Sequence, residues 1–385
     1  MAKLQVTELD FDDIKENLKT FLKAQDKFKD YDFEGSGMSI LLDTLAYNTH
    51  YLAFNTNMVA NEMFLDSSAL RSSVVSHAKM LGYEVSSARS PVASINVIVT
   101  TNTDTLTMPA GTKFSASIDG TSFSFVTISD ITGTNTSGQI IFSEVPVYEG
   151  TYVTSTYTVD TSDASQRFLL TDNRADINTL TVKVQNSISD TETVTYTKAT
   201  DITQLISTST VYFCQEVEAG RFEIYFGDGI VSKALVDGNI VTLDYVITNK
   251  TEANGVSSFT APASIAGETA VTLQTISRAE GGSEPETINS IKLQAPLDYA
   301  SQGRAVTTED YRVFVKKLFP TTQAVSVWGG EDGSFDPSLG VVATPEYGKV
   351  FISVKSTTGQ NLTSVQKSNL VSALAPYKVA SITPV

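Results

Sequence analysis

Between about residue 9 and residue 82 the apolar positions recur every three or four residues, the period of a helix buried on one side. Phe11, Ile14, Leu18, Phe21 and Leu22 share one face of a helix expected from about Asp12 to Lys23, with acids at its start where the helix dipole favours them. A second helix is expected after Gly35-Ser36-Gly37, whose glycines free the backbone, and runs to about Phe64. A third, with Asp66 and Ser67 as candidate caps, carries Leu70, Val74, Ala78 and Leu81 on one side and stops at Gly82.

The second helix has more than one apolar stripe when each residue is turned by ~100°. Leu41, Leu45, Leu52, Val59 and Met63 form one; Tyr47, Tyr51, Phe54 and Met58, joined by Ile40, form another, roughly 120 to 140° away. Ala46, Ala53 and Ala60 repeat at heptad spacing on a third, small-residue face. A single docking face does not account for this pattern. Covering the large side chains is worth on the order of 15 to 25 kcal/mol gross, realised only if neighbouring helices cover both stripes. Helices one and three can cover one side. The rest points either to a bundle shared with other chains, with close approach along the alanine face, or to a helix buried inside its own domain.

Past Gly82 the period changes from helical to alternating. From Val92 to about Ile276 the chain is rich in Thr, Ser and Val, as in Ile95-Asn-Val97-Ile-Val99, Leu180-Thr-Val182-Lys-Val184 and Ile240 to Ile247. Turn signals punctuate it at Pro109-Ala-Gly111, Asp119-Gly120, Asp228-Gly229 and Asp237-Gly238. This predicts antiparallel sheet, in two modules that part near Gly150. The last hundred residues read as helix (about Thr308 to Phe319, Tyr311, Phe314, Val315 and Leu318 inward), strand (Ala324 to Trp328), strand (Lys349 to Lys355), helix (about Thr363 to Leu374) and strand (Val379 to Val385). The expected class is a multidomain α+β protein: a helical arm over 1–90, β-rich modules over 91–150 and 151–285, and an α+β module over 286–385 whose last strand stops at the chain end, as if incomplete.

Composition narrows the function classes. The 385 residues predict two to four domains, and 41% hydrophobic against 18% charged residues is the balance of a folded chain. The net charge of −16 is spread along the chain with no basic run, so no nucleic-acid partner is expected. No stretch has the ~18 apolar residues of a membrane span. The lone Cys214 has no intrachain disulfide partner and reads as a small buried residue.

Candidate chemistry is sparse. His50 and His77 sit on different helices with no ligand at i+3 or i+4, so a zinc site is not expected. The acidic loop from Glu331 and Asp332 to Asp336 has Pro337 where a calcium loop needs glycine and Ala343 where it needs glutamate. Ser76-x-x-Lys79 and Ser364-x-x-Lys367 lack the companion motifs of a serine nucleophile. Phe226-Gly-Asp228-Gly229 reads as a hairpin turn rather than a presented carboxylate. No catalytic, cofactor or metal site is expected, and no enzyme activity.

The residues also carry a resemblance. Leu9-Asp-Phe-Asp-Asp-Ile-Lys-Glu-Asn-Leu18, Phe28-Lys-Asp-Tyr-Asp-Phe-Glu-Gly-Ser-Gly37, Leu45-Ala-Tyr-Asn-Thr-His-Tyr51, Asn61-Glu-Met-Phe-Leu-Asp66, the run Arg71 to Tyr83, Phe226-Gly-Asp-Gly229, Glu252-Ala-Asn-Gly255, Gly303 to Tyr311 and Tyr347-Gly-Lys-Val350 follow one another as landmarks. In that order they resemble the large baseplate wedge subunit of contractile-tailed, T4-like bacteriophages, in the baseplate J-like family, over nearly the whole chain.

The resemblance implies a structural protein of the virion's tail baseplate, assembled in the host cytoplasm. It implies a helical bundle joining the subunit to a second copy of itself and to a different wedge subunit. Further implied partners are neighbouring wedges, sheath-proximal wedge proteins and the central hub, in a ring that rearranges as the sheath contracts. Phage members of the family are commonly longer and continue into a region that helps link wedges. Two alternatives stand beside it: a wedge protein of a bacterial contractile injection particle, and a tail adhesin that binds host glycan through exposed aromatics on β loops. A cell-wall hydrolase is disfavoured by the missing His and Cys chemistry.

Overall fold

A computed structural model describes residues 10–29, 31–33, 35–163, 166–199, 205–319, 322–330, 346–356, 361–362 and 364–385. The chain divides into two compact units, Met1–Tyr83 with Ile288–Pro296, and Glu84–Thr287 with Leu297–Val385.

The first unit is helical. Helix α1 (Phe11–Lys23) is opened by the Asp10 carboxylate, which accepts the N–H groups of Asp12 and Asp13 at 2.9 and 3.2 Å. Ile14 is buried as the spacing predicts, whereas Phe21, at the edge of that face in the last turn, is exposed. Helix α2 (Met38–Glu62) packs beside α1, with Lys15 Nζ 2.5 Å from Asp43. Helix α3 (Arg71–Met80) starts later than its expected caps. Asp66 and Ser67 lie in the preceding turn, and the carboxylate of Glu62 instead accepts the N–H groups of Ala69 and Leu70. Gly82, at φ +77°, ends α3 in the left-handed conformation, with the Tyr83 N–H returning to the Ala78 carbonyl at 3.0 Å.

The second unit holds three sheets. Strands β1 (Val92–Thr100), β2 (Thr105–Met108), β3 (Lys113–Ile118), β4 (Thr121–Val126), β5 (Ile131–Thr136) and β6 (Gln139–Glu149) belong to the first. Strands β7 (Thr151–Thr158), β8 (Phe168–Leu169), β9 (Ala175–Gln185), β10 (Thr193–Lys198), β11 (Val211–Glu216), β12 (Phe222–Phe226) and β13 (Ile240–Ile247) make the second, ordered β7-β13-β9-β10-β11-β12-β8. Strands β14 (Phe259–Thr260) and β15 (Val271–Glu280) return to the first sheet, where β15 pairs with β1, although they fall in the stretch 151–285.

Alternation does what the sequence requires of it. Ile95, Val97 and Val99 of β1 point into a core with Phe114, Phe125, Ile140 and Phe142, while Val182, Ile224, Leu243 and Tyr245 fill the core of the second sheet. Asp119 and Gly120, both at positive φ, form the two-residue turn of the β3–β4 hairpin. Phe226-Gly-Asp-Gly229 departs from expectation: β12 pairs with β11 and β8, and β13 with β7 and β9, so this segment is not a hairpin turn. It opens a long loop between strands that are not neighbours.

Helix α4 (Ile288–Ser301), with Pro296 inside it, was not expected from the sequence pattern. Helix α5 (Thr308–Leu318) is closed at its start by a capping box between Thr307 and Asp310. Strands β16 (Thr322–Gly329) and β17 (Lys349–Ser356) pair antiparallel, helix α6 (Ser364–Leu374) follows, and β18 (Thr383–Pro384) pairs parallel with β17. The last strand is thus two residues long, not the expected seven. Phe314 stacks on Tyr377 at 4.4 Å over a core of Tyr311, Val315, Val327 and Leu374.

Candidate functional site

Helix α2 is 25 residues long, which spans about 37 Å. Its inward face is narrow and made of Leu42, Ala46, Ala53 and Asn57, all buried. The small-residue face is therefore covered inside the chain. Ala46 and Ala53, expected among the candidate contacts between chains, are buried within the unit, where small side chains allow close helix packing. Ala60 is half-buried on the same side.

The large side chains point the other way. Leu41, Leu45, Leu52, Val59 and Met63 lie on one flank of the buried face; Ile40, Tyr47, Tyr51, Phe54 and Met58 lie on the other. All ten are exposed, from 42% at Met58 to 71% at Ile40. Between the flanks runs a polar ridge of Thr44, Asn48 and Asn55, placed by the ~100° turn per residue opposite the buried face. Helices that cover the middle of α2 leave both its shoulders apolar and open.

Chemistry along this surface is almost neutral. Asp43 and Glu62 are the charged residues of α2, and it has no lysine or arginine. Tyr47 and Tyr51 lie one turn apart with ring centroids at 5.2 Å, and the hydrogen bond of the Tyr47 hydroxyl to Tyr51 raises the Tyr47 phenol above its ordinary value. Nearby Phe28, Tyr31 and Phe33 form a cluster in the turn ahead of α2, with Tyr31 and Phe33 edge to face at 5.0 Å. Monomeric proteins rarely leave apolar surface of this extent open.

The exposed rings also separate the binding readings. Phe21, Tyr31, Tyr47, Tyr51, Phe54 and Phe64 belong to the helical unit, whereas Tyr225, Tyr299 and Tyr347 are those of the second unit among the described residues. Of these last three, Tyr225 stacks on Phe213 within a strand pair. The aromatic clustering on β loops that a glycan adhesin requires is not what the described residues present.

Among the described residues no group of three or more His, Cys, Asp or Glu is placed to hold a metal. The acidic loop considered for calcium, residues 331–345, lies outside the described residues. His50 sits on α2, half-buried, and His77 on α3 donates to the Glu62 carbonyl. The Cys214 thiol is pushed up to about 12 by burial, with the Lys198 charge opposing. That thiol is not a nucleophile at neutral pH.

A cavity of about 540 Å³ in the second unit is lined by Arg89, Asp176, Glu280, Leu318 and Gln366. Its polar groups serve the fold: Arg89 donates to the Lys317 and Leu318 carbonyls at 3.0 and 3.2 Å, and Asp176 accepts the Ser90 N–H at 2.7 Å. Among the described residues no helix is long and apolar enough to cross a membrane.

Known proteins bear on this surface. Three family models match in order: "Baseplate wedge protein gp6-like, helical domain" over residues 10–83, "Bacteriophage baseplate wedge protein gp6, third domain" over 156–255, and "Baseplate structural protein gp6, C-terminal domain I" over 307–385. Baseplate wedge protein gp6 of Enterobacteria phage T4 is 29% identical over a 402-residue alignment that takes in 97% of this chain and 58% of the relative. The chain thus spans less than two thirds of that relative's length.

Among solved structures, the cryo-EM baseplate of the anti-feeding prophage is similar at 11% identity, covering 99% of this chain and 79% of that one, with a TM-score of 0.34. The TssK-TssF-TssG baseplate subcomplex of the type VI secretion system is similar at 8%, covering 90% and 95%, with a TM-score of 0.39. Scores this low carry no argument about fold or role.

Proposed function

The chain belongs to the gp6-like baseplate wedge family, and from that premise we propose that it is a non-enzymatic assembly protein whose α2 flanks are its contacts with other subunits. One flank takes a second copy of the chain and the other takes a different wedge subunit, in a bundle built from the helical arm of residues 1–90. The β-rich part over 91–285, whose first sheet takes strands from both sides of the 150 boundary, and the α+β part over 286–385 act as spacers and as contacts in a ring around the hub, which rearranges on sheath contraction. The site of action is the virion's tail baseplate, assembled in the host cytoplasm.

The observation that carries this reading is the pair of exposed apolar flanks on α2, separated by a polar ridge. A helix with one missing neighbour has one open stripe; two stripes roughly 130° apart call for two. Their side chains are each about half exposed or more, so covering them is worth on the order of 10 kcal/mol gross.

The test is native mass spectrometry of the chain after co-expression with the neighbouring tail genes of its source. A complex of two copies with one different protein is expected. The double variant Tyr51→Glu with Leu52→Glu should abolish it while leaving the β-sheet circular dichroism intact. Unchanged assembly by the double variant would overturn the proposal.

A further inference from the structure

A second apolar surface lies far along the sequence from α2, at one end of the second sheet. The strand registers gather four loops there. Thr158 at the end of β7 and Gln185 at the end of β9 both lie opposite Ile240 at the start of β13, and Thr193 at the start of β10 lies opposite Gln185. β12 ends at Phe226 opposite Tyr212, near the start of β11. Residues 159–163, 186–192, 205–210 and 227–239 therefore emerge from the same end.

Hydrogen bonds tie these loops into one tip. Asn239 Nδ2 donates to the Asn186 carbonyl at 3.0 Å, the Lys233 N–H to the Ser209 carbonyl at 3.0 Å, and the Thr161 N–H to Asp237 at 3.1 Å. The Phe226-Gly-Asp-Gly229 segment is the most constrained part. A Cβ on Gly227 would stand 1.9 Å from the Ser232 hydroxyl, and Gly229 has φ +87°. Asp228 accepts the N–H groups of Ile230 and Val231 at 2.9 and 3.2 Å, which fixes the turn.

What this turn presents is apolar. Ile230 is 78% exposed and Ile188, from the β9–β10 loop, 89%; Ile206, Val231 and Val236 are exposed with them. The turn at 227–232 is held by glycines and a carboxylate rather than by Ile230. Five exposed aliphatic side chains are thus carried by loops that hydrogen bonds gather at one end of one sheet.

The rim of the patch is acidic. Among the described residues of the four loops, Asp160, Asp163, Asp190, Glu192, Asp228 and Asp237 stand against the single base Lys233. Hydrogen bonds from the Ser162 hydroxyl to Asp160, from the Glu192 N–H to Asp190 and from the Ile230 N–H to Asp228 hold these carboxyls below their ordinary values, so they stay ionised. A second copy would bring the same acidic rim, on a chain of net charge −16, against this one.

We infer that the tip made by Ile188, Ile206, Ile230, Val231 and Val236 is a docking surface for a different protein chain, one that offers an apolar recess with a basic rim. The aliphatic side chains supply the buried area and the carboxylates select against self-association. The surface shares no residue with α2, and its use does not depend on the bundle.

The experiment is site-specific photo-crosslinking in the producing cells, with p-benzoylphenylalanine at position 188 or 230 of the full chain and the joined peptides identified by mass spectrometry. A peptide from a different chain, with Lys or Arg flanking apolar residues, is expected from both positions. Its yield should fall several-fold with Glu192→Lys, a surface charge reversal that spares the loop's hydrogen bonds, and with Ile206→Asp. Cross-links to another copy of this chain, to an acidic peptide, or from neither position would overturn the inference. Because α2 is untouched, loss of the tip cross-link with bundle assembly intact fails this inference alone.

Discussion

His77 Nε2 lies 2.8 Å from the carbonyl oxygen of Glu62 and donates to it, so α3 closes the C-terminal end of α2. The same glutamate acts in the opposite direction. Its carboxylate accepts the N–H groups of Ala69 and Leu70, at 2.7 and 3.3 Å, ahead of the first turn of α3. One residue at the end of α2 thus receives from α3 through its backbone and holds the start of α3 through its side chain.

Glu62→Ala should therefore weaken the α2–α3 connection by about 1 kcal/mol, the usual worth of a lost cap. Desolvation opposes ionisation of this carboxyl, but the N–H of Ala69, the Ser73 hydroxyl, the N–H of Leu70 and the charge of Lys292 outweigh it and hold it below its ordinary value. The folded value is depressed, so its stabilisation is present above the unfolded glutamate value and lost as pH falls through the folded one. Protection of the Ala69 and Leu70 amides, taken relative to the intrinsic exchange rate at each pH, should fall in acid in the parent chain, and Glu62→Gln should flatten that dependence.

Gly150 joins β6 to β7 at φ +132°, and a Cβ there would stand 2.2 Å from the Ile247 carbonyl oxygen. Next to it, buried Glu149 accepts the Thr248 hydroxyl at 2.9 Å and the Asn249 side-chain amide at 2.7 Å. Gly150→Ala has both a forbidden backbone conformation and a clash with fixed backbone. It should cost at least about 2 kcal/mol, read as a lower denaturant midpoint for loss of β-sheet ellipticity. A midpoint unchanged from the parent would contradict this account.

The single cysteine makes a direct probe of the second sheet. Burial pushes the Cys214 thiol up to about 12, so at pH 8 almost none of it is thiolate. A disulfide reagent should leave the native chain unmodified at pH 8 and label one thiol per chain in denaturant. Rapid labelling of the native chain would show that the β11–β12 region opens.

Much of the fold is legible in the sequence because period and punctuation agree there. The alternation from Ile240 to Ile247 coincides with β13, and Thr307 with Asp310 marks the start of α5 as a capping box. Legibility fails where local signals conflict or where partners are distant. Pro296 hides α4, since a proline inside a helix is the usual sign of its end. Phe226-Gly-Asp-Gly229 has the residues of a hairpin turn, but strand pairing is a long-range choice that turn chemistry does not decide. The stripes of α2 were visible as stripes. Which side faces inward is not legible, because the buried face mixes Leu42 and Asn57 with Ala46 and Ala53 and belongs to neither large-residue stripe.

That arrangement leads to the sharpest prediction about α2, since its three faces should fail in three different ways. On the inward face, Leu42→Ala should cost about 2 to 5 kcal/mol through a cavity, and Ala46→Leu about 1 to 3 kcal/mol through overpacking. Both should show in the melting of the purified chain alone. On the flanks, Leu52→Glu and Tyr51→Glu should each change the stability of the isolated chain by within about 0.5 kcal/mol, because Leu52 and Tyr51 are 62% and 52% exposed. Their effect belongs to assembly. If each flank serves one neighbour, Leu52→Glu and Tyr51→Glu should release different partners from the co-expressed complex, one leaving a homodimer and the other a pair of unlike chains. Release of the same partner by both would mean that one neighbour straddles the Thr44, Asn48 and Asn55 ridge, and would replace two docking faces with one.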